Sequence, residues 1–251
     1  MRSKVVIGNW KMNMSIPEAR RFVSGLGLGV SYKTGQVGLA VPFTMIEAAA
    51  EAARGTTISI GGQNASDQDS GAFTGEISSR MLKDAGASFV LIGHSERRRL
   101  FHEDDAVLNK KIKLALAAEL KPVFCIGETE EQSGKAHAVL QAQLINGLKG
   151  LKPNDLLHTI IAYEPVWAIG TGKTPTPEVI EEVHAYCRKV VGKEWGEDIA
   201  QQVVILYGGS ANAENGGIFM AQPDVDGLLV GGASLSLESF NKILSLLQNS
   251  A

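Results

Sequence analysis

Three side chains able to exchange a proton or balance charge stand where short apolar runs end. "KVVIGNW" (4–10) leads into Lys11 by way of Asn9, "SFVLIGH" (88–94) ends in His94, and "TIIAYEP" (159–165) carries Glu164 before its proline. Two further runs, "VVILYGG" (203–209) and "GLLVGG" (227–232), end in paired glycines. Glycine lets a backbone N–H approach an anion closely, so Gly208, Gly209, Gly231 and Gly232 suit a phosphate cradle, although they equally suit tight turns. Taken alone, each residue has an ordinary reading. Lys11 fits a solvated loop charge. His94 in "GHSERR" fits a turn histidine, with Ser95 capping a short helix and Glu96, Arg97 and Arg98 pairing on the surface. Glu164 fits a strand-end carboxylate stopped by Pro165.

Their common position at the ends of strands changes the balance. Besides the five runs above, "VGLAVPF" (37–43), "ISIGGQN" (58–64) and "KPVFCIG" (121–127) have the same apolar character, making eight in all. Near-continuous apolarity suits parallel strands covered on both faces. Between them lie segments of helical period such as "DDAVLNKKIKLALAAEL" (104–120) and "TPEVIEEVHAYCRKVVG" (176–192), the first opening on acidic residues and the second on Thr-Pro-Glu. Strict alternation of strand and helix over 251 residues, with no linker or composition shift, predicts an α/β protein of one domain (1–251) built as a (β/α)8 barrel; a doubly wound open sheet is the alternative. In a barrel all the carboxyl ends lie on one rim. Residues more than 200 positions apart would then converge there. Ser95 and Glu96 directly after His94 also read as a helix start, a setting that disfavours imidazolium.

Several attractive motifs fail. "GTGKT" (170–174) ends like a nucleotide-binding loop, but Trp167 stands where its first glycine is required. "GLGLGV" (25–30) has Val30 at the last glycine of a dinucleotide fingerprint. The five histidines form no HxH or HExxH pair, so no metal site is expected. Cys125 and Cys187 form no CxxC pair, and Cys125 inside an apolar run reads as packing. With 44% apolar residues and a net charge of −3, the composition favours a packed core and carries no electrostatic footprint for nucleic acid or an anionic membrane. The start "MRSKVVIGNWKMN" turns polar too early for a signal peptide, and no apolar run reaches membrane length, so a soluble cytoplasmic protein is expected.

The segments "GNWKMN" (8–13), "GAFTGE" (71–76), "IGHSERR" (92–98), "CIGE" (125–128), "AYEPVWAIGTGKT" (162–174), "YGGSAN" (207–212) and "DGLLVGGASL" (226–235), in this order, resemble the triosephosphate isomerase family from end to end. Gly62 in "GGQN" and the "TGQ" turn (34–36) lie outside the expected site. The resemblance implies a TIM barrel that interconverts dihydroxyacetone phosphate and D-glyceraldehyde 3-phosphate in glycolysis and gluconeogenesis, with no metal or organic cofactor. It implies Glu164 as the base, His94 as the group that polarises the carbonyl, and Lys11 as the positive charge. Asn9 would assist positioning and Glu96 would support the "HSER" motif. Gly170, Ser210, Gly231 and Gly232 would hold the phosphate, and 165–174 would form a cover over the enediol. It also implies a homodimer docked through the loop Gly71–Glu76. Two rival readings are a non-catalytic phosphate-binding barrel, which would be expected to have lost Lys11, His94 or Glu164, and a metal-dependent epimerase or aldolase, disfavoured by the absent histidine cluster.

Overall fold

In this computed structural model, which describes residues 2–27, 35–169 and 174–249, all eight apolar runs form strands. They are β1 (Lys4–Asn9), β2 (Gly35–Ala40), β3 (Ile58–Gly62), β4 (Phe89–Ile92), β5 (Lys121–Ile126), β6 (Ile160–Tyr163), β7 (Val204–Tyr207) and β8 (Gly227–Val230). Each pairs in parallel with its neighbour in the chain, and β8 returns to β1 with Val5 opposite Gly227 and Gly8 opposite Val230, closing the barrel. The open-sheet alternative is thereby excluded.

The barrel interior is a packed layer of Val5, Ile7, Ala40, Phe89, Leu91, Val123, Cys125, Ile160, Ala162, Leu206 and Leu229. Phe89 is the largest of these, and the chain makes room for it with small residues on two neighbouring strands. A Cβ at Gly61 would stand 2.5 Å from its ring and one at Gly38 3.0 Å from it. The outer faces of the strands pack on the helices through a second, larger core that includes Val6, Leu39, Val90, Phe124, Ile161 and Val230.

The helices α1 (Ile16–Gly27), α2 (Ile46–Ala52), α3 (Ser79–Asp84), α4 (Ser95–Leu100), α5 (Asp105–Ala117), α6 (Ala136–Gly147), α7 (Pro153–Leu157), α8 (Pro177–Trp195), α9 (Glu197–Ala200), α10 (Gly216–Met220) and α11 (Leu237–Ser245) fill the crossovers. The two helices expected over 104–120 and 176–192 are α5 and α8. The Asp104 carboxylate accepts the Val107 N–H at 2.9 Å, satisfying a free donor at the start of α5. At its far end Glu119 takes a left-handed φ of 56°, and the Leu120 N–H returns to the Ala115 carbonyl at 2.9 Å. Pro177 opens α8 behind the Thr176 cap, where the ring's missing N–H costs nothing. No helix among the described residues is long and apolar enough to cross a membrane.

The strands are shorter than the apolar runs. Pro42 ends the ladder after β2, and Phe43–Met45 turn into a 3-10 segment rather than continuing the strand. His94 and Glu164 lie one or two residues past β4 and β6, where the chain leaves the ladder and side chains turn over the rim.

Candidate active site

The carboxyl ends of the strands surround a cavity of about 280 Å³. Asn9, Lys11, His94, Glu164, Ser210, Gly231 and Gly232 all line it, so seven of the residues singled out from sequence meet in one place. Gly170 lies outside the described residues. Glu96 stands behind the wall, gripping Lys11.

Glu164 is 2% exposed, and its backbone is fixed before its side chain is considered. Its N–H donates to the Ile126 carbonyl at 2.7 Å, and the neighbouring Tyr163 carbonyl accepts the Gly208 N–H at 2.7 Å. Gly127 has to be glycine, since a Cβ there would collide with the Glu164 carbonyl oxygen. Gly208 is nearly as constrained, because its Cβ would stand 2.8 Å from Glu164 Cγ. One carboxylate oxygen accepts the Ser95 N–H at 3.0 Å, and the other lies 3.1 Å from His94 Nε2.

His94, rather than Ser95, caps α4. Its Nδ1 accepts the Glu96 N–H at 3.2 Å, which places the ring proton of the neutral imidazole on Nε2, the atom facing Glu164 and the cavity. Ser95 instead contributes its backbone N–H to Glu164 and is buried.

The surface pairing expected of "SERR" is also different in the fold. Glu96 binds Lys11 Nζ at 2.6 Å. Arg97 pairs with buried Glu103 at 2.7 Å, and Arg98 joins Asp105 at 2.7 Å while donating to the Gly93 and Cys125 carbonyls. These arginines pin the loop that carries His94. Burial pushes the Glu96 carboxyl upward, but the hydrogen bond from Lys11, with the charges of Lys11 and Arg99, outweighs it and holds the group below the ordinary carboxylate value. Glu96 is therefore an anion at neutral pH, fit to fix Lys11.

Lys11 takes a left-handed φ of 52°, uncommon outside glycine, and its N–H donates to Asn9 Oδ1 at 3.0 Å. Asn9, the last residue of β1, thus holds the next turn of chain as well as lining the cavity. After β8, the strand next to β1, a Cβ at Gly232 would meet nothing within 4 Å, and one at Gly231 only Lys11 Cε at 3.7 Å. Their backbone is open to a ligand. Gly232 also begins a 3-10 turn (Gly232–Leu235), where the first N–H groups lack partners within the turn. The Ser210 hydroxyl donates to the Ala168 carbonyl at 2.8 Å, tying the loop after β7 to the one after β6.

Two contributors were not identified from sequence. Glu128, 2% exposed, accepts from Tyr163 OH at 3.1 Å and from Trp167 Nε1 at 2.7 Å, and its carbonyl accepts the Val166 N–H. It fixes the chain on both sides of Glu164. Its place at the end of β5 in "CIGE" was the available signal. Gln63, just after β3, donates to the Lys11 carbonyl at 2.8 Å. Cys125 is buried in the barrel wall, and burial, with Glu164 nearby, pushes its thiol well above the usual value, consistent with packing.

The fold and this rim define a class: a (β/α)8 barrel whose C-terminal face sets a carboxylate against an imidazole and a cation, equipped for acid–base chemistry on a small bound molecule. Comparison with known proteins makes the assignment specific. Residues 4–247 match the family model described as triosephosphate isomerase. The chain is 49% identical to a triosephosphate isomerase of Protochlamydia amoebophila over 97% of its own length and 93% of the relative's. It is 48% identical to one from Symbiobacterium thermophilum, covering 97% and 96% of the two chains. The crystal structure of triosephosphate isomerase from Bartonella henselae superposes with a TM-score of 0.88 at 36% identity, over 98% of this chain and 99% of that one. The chain belongs to the triosephosphate isomerase family.

Proposed function

We propose that the protein interconverts dihydroxyacetone phosphate and D-glyceraldehyde 3-phosphate, as a step of glycolysis and gluconeogenesis. The observation that carries this reading is the contact of Glu164 with His94 Nε2 at 3.1 Å, on the wall of the cavity that Lys11 and the glycines also line. Glu164 takes a proton from the carbon beside the substrate carbonyl. His94 Nε2–H donates to the carbonyl oxygen as electrons move onto it, giving an enediol(ate). Lys11 balances the negative charge that develops. Returning the proton from Glu164 to the adjacent carbon, while His94 exchanges protons between the two oxygens, completes the isomerisation with no net gain or loss of atoms. To reach the substrate, the Glu164 carboxylate must exchange its bond to the Ser95 N–H for the carbon acid.

The phosphate is assigned to the open backbone at Gly231 and Gly232 and to the Ser210 turn. Because the Ser210 hydroxyl proton is committed to Ala168, this residue acts through its main chain or as part of the loop tie. The chemistry is assigned to side chains alone, without metal or organic cofactor. A coupled assay for dihydroxyacetone phosphate formed from glyceraldehyde 3-phosphate tests the reading; no turnover above background refutes it, and loss of activity on adding EDTA refutes the metal-free part.

A homodimer goes with this function. The loop Gly71–Glu76 projects with every residue exposed, and glycines at φ 126° and 94° hold its turns. Phe73 at its tip is 45% exposed, and Met12, Met81, Leu100 and Phe101 add further uncovered apolar surface. Sedimentation should give twice the chain mass, and Phe73→Asp should shift it toward the monomer. Residues 1–251 are assigned to one domain and the protein to the cytoplasm. A single cooperative unfolding transition and recovery in the soluble cell fraction are the corresponding expectations.

A further inference from the structure

Gln63 stands in "GGQN", a stretch that the sequence places outside the site, yet it touches the backbone of Lys11. Lys11 is held in the left-handed region at φ 52°, a conformation that a side chain other than glycine keeps only when neighbours hold it there. Its N–H is tied by Asn9 Oδ1 at 3.0 Å. Its carbonyl is tied by Gln63 Nε2 at 2.8 Å, and among the described residues no other donor reaches that oxygen. The second hydrogen of the same nitrogen goes to the Ala40 carbonyl at 3.0 Å, which also accepts the Trp10 N–H at 3.1 Å. One amide nitrogen on the loop after β3 thus joins the ends of β1 and β2. Both partners are carbonyls, so only the nitrogen can face them and the amide has a single workable orientation.

We propose that Gln63 is a positioning residue for the isomerisation: it locks the left-handed backbone of Lys11 and so aims Nζ at the cavity and at Glu96. Without this donor the Lys11 carbonyl loses its partner, and the residue can relax to negative φ, swinging the ammonium off its 2.6 Å contact with Glu96. The inference rests on the functional reading of Lys11 given above. A side chain that merely closed a loop would affect folding and not act through Lys11, so the two roles are separable.

The test measures kcat and KM for glyceraldehyde 3-phosphate with Gln63→Met, in the wild-type chain and in a Lys11→Met background. Gln63→Met preserves length and removes both donors; Gln63→Leu, which also has no polar hydrogen, serves if Met impairs folding. The expected result is a loss of about tenfold to a hundredfold in kcat/KM in the wild-type background, the scale of a misplaced catalytic group, with the thermal unfolding curve little changed. In the Lys11→Met background the same substitution should cost less than about twofold, because the residue through which it acts is gone. Equal losses in the two backgrounds, or none in the wild type, would overturn the proposal. If Lys11→Met alone left turnover intact, the functional reading of Lys11 would fall, and this inference with it.

Discussion

At the end of the barrel where the strands begin, Arg188 of α8 spends its whole guanidinium on protein. It binds Asp224 at 2.6 Å and Asp226 at 2.7 Å, and donates to the Ala200 and Val203 carbonyls. Asp226 also takes Arg2 at 2.6 Å and the Ile205 N–H at 2.9 Å, while Lys4 donates to the Met220 and Val225 carbonyls. At the end where the strands finish, Glu164, His94 and Lys11 are held by a few contacts each and still line an open cavity. The residue types are much the same at both ends. What differs is whether any hydrogen-bonding capacity is left over for a molecule from outside. Closed networks fix the fold, and incompletely closed ones on a rigid frame are available for chemistry.

Removing one carboxylate at each end breaks the comparison most sharply. Glu164→Gln should lower kcat by about 10²–10⁴-fold, the range for loss of a general base, with the urea unfolding midpoint close to wild type. Asp226→Ala should do the reverse. It leaves the buried Arg188 cation short of a partner and should cost about 3–5 kcal/mol of stability in urea titrations, while the folded fraction retains its turnover. A large loss of turnover per folded molecule in the second variant, or a large loss of stability in the first, would dissolve the distinction.

Smaller changes sharpen it. Gly208→Ala puts a Cβ 2.8 Å from Glu164 Cγ, so the base must shift; kcat should fall about tenfold, read by the same coupled assay. Near the other end His184, fully buried with Tyr163 edge-on at 5.8 Å, has its pKa lowered by burial from 6.5 to about 3. Arg188 and Lys4 add to the lowering, and Asp224 opposes it. The neutral ring is the folded form, so this contribution to stability is complete above the unfolded value and is lost as pH falls from 6.5 toward 3. The slope attributable to it is up to about 1.4 kcal/mol per pH unit. His184→Leu should flatten that part of the stability curve, and an unchanged acid slope would show that other groups dominate it.

Much of this arrangement is legible in the chain. The eight strands can be read because their residues are apolar on both faces, and α5 and α8 because Asp104 and Thr176 announce their starts. The convergence of Asn9, Lys11, His94, Glu164 and the glycines follows from all of them standing at the same end of successive strands. What could not be read depends on contacts between residues remote in the chain. Gln63 reaches across two strands to Lys11, and Glu128 reaches Tyr163 and Trp167 on the next unit. The exchange of roles at α4, with His94 as cap and Ser95 as donor to Glu164, depends on where β6 sits relative to β4. Neither propensity nor spacing encodes that placement. Gly38 and Gly61 look like weak strand residues until Phe89 is seen filling the space they leave.

The central claim is that Glu164 carries a proton between two adjacent carbons of a bound triose phosphate. Isomerisation run in D2O, with the product analysed by NMR, tests it most directly, because a proton resting on a carboxylate can exchange with solvent before it returns to carbon. The prediction is product bearing solvent deuterium on the carbon that receives the proton, with both turnover and incorporation collapsing together in Glu164→Gln. Turnover that stays near wild type in Glu164→Gln, or incorporation that persists unchanged in the variant, would contradict it.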